Sequence, residues 1–343
     1  MGVALTDLLN PKPITLDDLQ DKIVAIDAFN MIYQFLSSLR GPDGSLMTDS
    51  KGNVTSHLIG LLSRTTRLMQ KGIKCVYIFD GEAPLLKQKE RERRRAIKEA
   101  AVNQYEEAKK TGDTEQMRKF ATRTASLTPE MAEEAKKLIR ALGIPVVEAP
   151  SEGEAQAAVM QARGDVDYVA SQDTDSLLFG AEKVIRNLSI LGKRKKVSKL
   201  TYETVTPELL TLSDVLNTTG LDKEKLILLG MLVGTDFNVG GIKGLGPKKG
   251  MKVVKDYSDY NQMFLDVKWH ENFDFDWHEV YDLFITMPTV ETSNLEWNPI
   301  DEEALHKLLC DEHDFSAERV TKSIEKIMKQ QAKMAQKGLG DFF

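Results

Sequence analysis

Ala149–Ser176 reads APSEGEAQAAVMQARGDVDYVASQDTDS, and its reading decides the fold. Ser151 stands in an N-cap position, with Glu152, Gly153 and Glu154 leading into the helix-forming run AQAAVMQA. Gly164 breaks that run. Tyr168–Ser171 is then short, apolar and partly β-branched, the composition of a buried strand. It gives way to Asp173-Thr174-Asp175. Carboxylates therefore stand at a helix start and at a strand end, where convergence raises their pKa values unless cations neutralise them. Oxygen-only donors suit Mg²⁺ or Mn²⁺, not Zn²⁺. A plainer reading fits the same letters. Ser151-x-x-Glu154 has the form of a capping box, Glu152 complements the helix dipole, and the two aspartates close a turn. Residues two apart on an ideal helix point roughly 200° away from each other, so Glu152 and Glu154 share a site only beyond the helix tip.

Outward from this stretch the same pattern recurs. Ile23–Ile26 is an apolar run of strand length ending at Asp27, and a helix is expected from Ala28 to Arg40. Val54–Lys71 has helical periodicity and is closed by Gly72. Cys75–Phe79 is a second strand-like run, ending at Asp80-Gly81. Strands separated by helices predict an α/β fold with a central, mostly parallel twisted sheet flanked by helices. In such sheets ligands gather beyond the carboxyl ends of the strands. An aspartate at each strand end, with Glu152 and Glu154 nearby, favours the metal reading over the capping one.

The chain has 343 residues, long enough for one large core or two smaller ones. No stretch reaches the roughly 20 apolar residues of a membrane span, and no signal peptide is visible. Cys75 and Cys310 do not make a disulfide framework, which points to a reducing interior. The net charge is −6, but seven acids are assigned to metal below, and −6 plus 7 leaves +1 for everything else. The basic residues are also clustered, which is what phosphate backbones respond to.

Lys87–Lys98, KQKERERRRAIK, begins a polar helical segment that breaks at Thr111-Gly112-Asp113 and resumes through Lys119. Thr128-Pro129 reads as a cap and first-turn proline for the next helix. A cationic helix beside a metal site suits a phosphate backbone; the competing reading is a solvated helix with Glu/Lys pairs. A helix over Leu226–Gly234 leads to Thr235-Asp236 and then to GGIKGLGPKKG over residues 240–250. Exposed amides, a helix start and lysines there suit a sequence-independent phosphate site of helix-hairpin-helix (helix-two-turn-helix) type; a plain interhelix loop is the other reading. Gly192–Lys196 reads as a basic β-turn. Tyr257–Trp297 reads as packed helices and loops with no assignable chemistry.

With these motifs in place, AIDAFNMIYQFL, YIFDG, EAPSEGEAQAA, ASQDTDSLLFG and GTDFN with GIKGLGPKKG, the chain resembles the flap endonucleases of the structure-specific 5′ nuclease superfamily, of archaeal type, over essentially its whole length. The resemblance implies two Mg²⁺ per chain, with Mn²⁺ able to substitute. Asp27, Asp80, Glu152 and Glu154 are implied for the first ion, and Asp173, Asp175 and Asp236 for the second. Lys87 and Arg94 match the family's basic pair on the helical arch, and with Asp175 they form the expected catalytic set. Tyr33 matches an aromatic that stacks on the terminal base; a core aromatic is the other reading. Arg40, Arg64, Gly244, Gly246, Lys248 and Lys249 are expected DNA contacts, with K⁺ at the hairpin. Gln336, Leu339, Phe342 and Phe343 resemble the peptide that docks on the sliding clamp (PCNA). Gly2 is expected near the active site.

The implied activity is structure-specific 5′ flap cleavage of branched DNA with 5′-3′ exonuclease activity, in Okazaki fragment maturation and repair. The expected state is a monomer, not membrane-bound, and cytoplasmic in an archaeon or nuclear in a eukaryote. Expected regions are a nuclease region over 1–98, the remainder of the arch over 99–130, an internal nuclease region over 116–258, a helical part over 259–330 and a tail over 331–343. Two other functions remain open at this point: a phosphatase or ribonuclease on a similar Asp-rich sheet, and a clamp-bound junction scaffold without activity.

Overall fold

The computed structural model describes residues 5, 8–41, 44–189, 192–195, 202–291 and 294–340; the side chains of 114, 118, 192–195, 202–204, 331 and 333–340 lie outside that description. The strands are β1 (Lys12–Pro13), β2 (Ile23–Asp27), β3 (Lys74–Phe79), β4 (Val146–Glu148), β5 (Tyr168–Ala170), β6 (Lys183–Arg186), β7 (Gly192–Lys195), β8 (Tyr202–Val205) and β9 (Glu208–Thr211). The helices of the first half are α1 (Ala28–Ser38), α2 (Ser56–Gln70), α3 (Gln88–Thr111), α4 (Thr114–Ala121), α5 (Pro129–Ala141), α6 (Gly153–Arg163) and α7 (Asp175–Leu178). Those of the second half are α8 (Leu212–Thr219), α9 (Lys223–Val233), α10 (Pro247–Asp256), α11 (Tyr260–Asp266), α12 (Trp269–Asn272), α13 (Trp277–Thr286), α14 (Glu302–His306) and α15 (Ala317–Gly340). The class is α/β, with a mixed, mostly parallel sheet flanked by helices. Among the described residues no helix is long and apolar enough to cross a membrane.

The chain forms two compact units. One comprises Met1–Ile14, Ile78–Arg93 and Glu148–Thr292; the other comprises Thr15–Tyr77, Arg94–Val147 and Ser293–Phe343. In the first, the strand order is β1-β9-β6-β5, with β5 parallel to β6 (Val169 opposite Val184) and β9 antiparallel to both its neighbours. In the second, the order is β2-β3-β4. Val24, Ala25 and Ile26 are buried throughout, as are Val76 and Tyr77, because strands covered by helices on both faces need continuous apolar runs.

Local signals place the helix ends. Thr128 Oγ1 accepts from Met131 N–H with Pro129 in the first turn, and Asp113 caps α4 directly after Gly112, whose φ is +71°. Helix α9 begins three residues before the expected Leu226 because Asp222 supplies a side-chain cap to Lys225 N–H. Gly192–Lys195 is not the expected turn. It is a strand paired antiparallel with β8, with Lys193 opposite Thr204 and Arg194 opposite Glu203. Pairing with a segment that begins only at Tyr202 makes the stretch one arm of an antiparallel ribbon and not its bend.

Candidate active site

In the first unit the chain leaving β3 is bonded to the chain entering α6. Gly81 N–H donates to Ser151 O at 2.7 Å and Glu82 N–H donates to Pro150 O at 3.1 Å. A Cβ on Gly81 would lie 2.2 Å from Ala149 O, so this approach requires glycine. Asp80 Oδ1 then accepts from Gly153 N–H at 2.8 Å, at the helix start, where a carboxylate is favoured. Ser151 does not cap α6. Its hydroxyl donates to Glu82 O at 2.8 Å, and the capping residue is Glu152, without a side-chain cap bond. The capping-box reading therefore fails. Glu152, with φ −77° and ψ 123°, lies outside the helical turn, which removes the angular objection to its sharing a site with Glu154.

Lys87, on the turn that opens α3, reaches into these acids. Its Nζ lies 2.5 Å from Glu152 Oε2 and 3.6 Å from Asp236 Oδ2, and the Lys87 side chain is only 16% exposed. Burial alone would lower the Lys87 pKa, but the charges of Glu152, Asp236 and Glu154 outweigh it and hold the ammonium above the ordinary lysine range. Asp80 shifts the opposite way. Burial first, and then the charge of Glu152, push its carboxyl up to about 6, against Gly153 N–H and Lys87. The neighbouring residue Lys89 anchors the same helix start, with Nζ 2.8 Å from Asp274 Oδ1 in the aromatic-rich segment.

The raised Asp80 group sets a stability effect. Between its ordinary value of 3.8 and about 6 the folded protein holds the proton more tightly than the unfolded chain, so stability falls as pH rises through that window. Above it the penalty is complete. In protein free of divalent ions, Asp80→Asn is expected to raise the thermal midpoint by several degrees at pH 8 and to change it little at pH 4. The amide oxygen still accepts from Gly153. Calorimetry at the two pH values checks this; equal shifts at both would remove the charge argument.

Glu154 and the acids after β5 are linked by hydroxyls. Ser171 Oγ donates to Glu154 Oε1 at 3.1 Å and accepts from Asp173 N–H at 3.1 Å. Ser176 Oγ, on α7, donates to the same Glu154 oxygen at 3.4 Å. Asp175 opens α7 and is buried. Asp236 follows α9 in a turn built by Asn238, whose Oδ1 accepts from Thr235 N–H and Oγ1–H and whose Nδ2 donates to Met231 O. Sequence reasoning did not single out Ser171, Ser176 or Asn238. A serine after a strand or an asparagine after a turn carries no signal until its long-range partner is known.

Asp80, Lys87, Glu152, Glu154, Asp173, Asp175 and Asp236 thus belong to one unit. Asp27, Tyr33, Arg40, Arg64 and Arg94 belong to the other, the division of α3 falling between Arg93 and Arg94. There Asp27 ends β2 and caps α1 by accepting from Asn30 N–H at 2.9 Å. Tyr33 is 46% exposed, which answers the alternative of a core aromatic. Arg40 donates from Nε to Leu36 O and from Nη1 to Gly44 O. Arg64 is pushed down to about 10, chiefly by burial, and its Nε has no hydrogen-bond partner. In the first unit α9 and α10 pack together through the glycine loop, with Gly240 at φ +87°, Gly241 at +58° and Gly244 at +87°. Gly244, Gly246, Lys248 and Lys249 are exposed. Gly2, Phe342 and Phe343, and the side chains of Gln336 and Leu339, lie outside the described residues.

Among the described residues no three or more His, Cys, Asp and Glu side chains form a group that could hold a metal ion as they stand. The Lys87 ammonium stands among these acids, against Glu152 and Asp236. Their chemistry fits a hard divalent ion all the same: the donors are all oxygen, and Asp80, Glu152, Glu154 and Asp236 meet around a single buried ammonium position that such an ion could take.

Residues 1–101 match the XPG N-terminal domain and residues 143–236 the XPG I-region. With this fold and site, those matches define the class as a DNA-cleaving hydrolase, a nuclease. Flap endonuclease 1 of Pyrococcus abyssi is 49% identical over 96% of this chain and 94% of its own length. That of Staphylothermus marinus is 44% identical with both chains fully covered. The structure of flap endonuclease-1 from Methanococcus jannaschii superposes with a TM-score of 0.74 at 38% identity, covering 97% of this chain and 100% of that one. The chain belongs to the flap endonuclease 1 family, structure-specific 5′ flap endonucleases, and is of its archaeal type.

Proposed function

We propose that this chain cuts branched DNA near the junction of single and double strand by hydrolysing one phosphodiester, with 5′-3′ exonuclease activity besides, and that it serves Okazaki fragment maturation and repair. The observation that carries this is the Lys87 ammonium, on the turn that opens α3, lodged between Glu152 and Asp236. A cation so placed can meet a phosphate beside the acids. Asp27, Asp80, Glu152 and Glu154 would hold one Mg²⁺, and Asp173, Asp175 and Asp236 a second, with Mn²⁺ an accepted substitute. When bound, such ions activate a water and neutralise charge on the phosphate. Lys87 and Arg94 offset the charge growing on the phosphoryl oxygens. Tyr33 stacks on the base beside the cut. Arg40, Arg64, Lys248, Lys249 and the amides of Gly244 and Gly246 hold the duplex by its phosphates, with K⁺ at the hairpin. Specificity is then for branch shape rather than base sequence.

A 5′-labelled flap with Mg²⁺ tests this. One cut near the junction supports the reading. Cleavage of RNA or small phosphate esters regardless of shape supports the phosphatase or ribonuclease alternative, and binding without cutting supports the scaffold. We further propose that Gln336, Leu339, Phe342 and Phe343 dock on the sliding clamp (PCNA), that the chain alone is a monomer, and that it works in the archaeal cytoplasm. Removing residues 336–343 is expected to leave basal cutting unchanged and to abolish stimulation by the clamp; stimulation that survives would sink the tail assignment.

A further inference from the structure

We infer that Ser171 is a positioning residue that couples the two groups of carboxylates, an inference that rests on the metal reading above. Its hydroxyl has one proton, and that proton goes to Glu154 Oε1 at 3.1 Å. The oxygen accepts from Asp173 N–H at 3.1 Å, so one buried atom ties an acid at the start of α6 to the turn that carries Asp173 and Asp175. The two bonds act together. Fixing one oxygen of Glu154 fixes the plane of its carboxylate, and fixing Asp173 N–H fixes the backbone that presents Asp173. Ser176, entirely buried, donates to the same Glu154 oxygen at 3.4 Å but does not touch the Asp173 turn in these bonds. Its contribution is therefore the smaller. A hydroxyl in this place does no chemistry on DNA. It holds the donors in register before a cation arrives, so that binding does not have to order them.

The test is direct Mn²⁺ binding to the full chain without DNA, read by electron paramagnetic resonance of the unbound ion, in the parent, Ser171→Ala, Ser171→Thr, Ser176→Ala and Asp175→Ala. Loss of an outer partner of a metal ligand typically costs about 10–100-fold in metal affinity, and Ser171→Ala is expected within that range. Ser171→Thr keeps the hydroxyl and is expected to recover the parent's affinity; Ser176→Ala should lose less than Ser171→Ala. If Ser171→Ala does not fold by circular dichroism, Ser171→Cys, near in size and a poor donor, takes its place with the same expected loss. A parent that binds Mn²⁺ no better than Asp175→Ala overturns the metal reading and this inference with it. A parent that binds clearly better than Asp175→Ala, beside a Ser171→Ala protein that binds as the parent does, overturns the role of Ser171 alone.

Discussion

Asp175→Ala is expected to bind a 5′ flap as tightly as the parent and to cut it more slowly by well over 100-fold. The lower bound comes from the roughly 10–100-fold that loss of an outer partner costs, since a direct ligand matters more than its support. Asp175 is 6% exposed at the first position of α7, close in sequence to Asp173 and beside Ser176, which bonds Glu154. Alanine is a good helix former, so the start of α7 can keep its backbone. Circular dichroism checks that the variant is folded before either measurement. The proposed phosphate contacts lie elsewhere, among them the exposed lysines at the start of α10, so DNA affinity should hold. Binding is measured by fluorescence anisotropy in Ca²⁺ and cutting by rapid quench in Mg²⁺ at enzyme excess. Robust cutting by the variant in Mg²⁺ removes Asp175 from the ligand set.

What the sequence made legible is what short-range physics decides. Ile23–Asp27 and Lys74–Phe79 are strands because their apolar runs leave no face for water, and Thr128-Pro129 starts a helix because cap and proline lie adjacent. The site was legible as a set of acids at element ends, not as a geometry. Ser151-x-x-Glu154 allowed a capping box, and only the carbonyl of Glu82, 69 residues away, shows that the serine hydroxyl is taken. Within KQKERERRRAIK nothing local singles out Lys87. Its partner Glu152 lies 65 residues on, and the family resemblance alone pointed to it. Gly192–Lys195 misled for the same reason, because its strand partner begins at Tyr202.

Lys87→Met is expected to move two measurements in opposite directions. The methionine keeps an unbranched stem of similar length in a largely buried place, so packing changes little. What is lost is the charge. A donor aimed at charge that develops in the transition state is worth about 10²–10³ in rate, and single-turnover cutting should fall by that much. Without DNA, however, the ammonium occupies Glu152 Oε2 at 2.5 Å and neighbours Asp236 at 3.6 Å. Any divalent ion taking those oxygens must displace it, and Coulomb repulsion between ammonium and metal adds to the cost. Removing it should therefore raise Mn²⁺ affinity in the absence of DNA, while the metal-free protein loses the charge that opposes the upward shift of Asp80. A fall in both rate and Mn²⁺ affinity would mean that Lys87 only organises the acids. An unchanged rate would take it out of the chemistry. Opposed changes are what a cation that first stands in for metal and then serves the phosphate must produce.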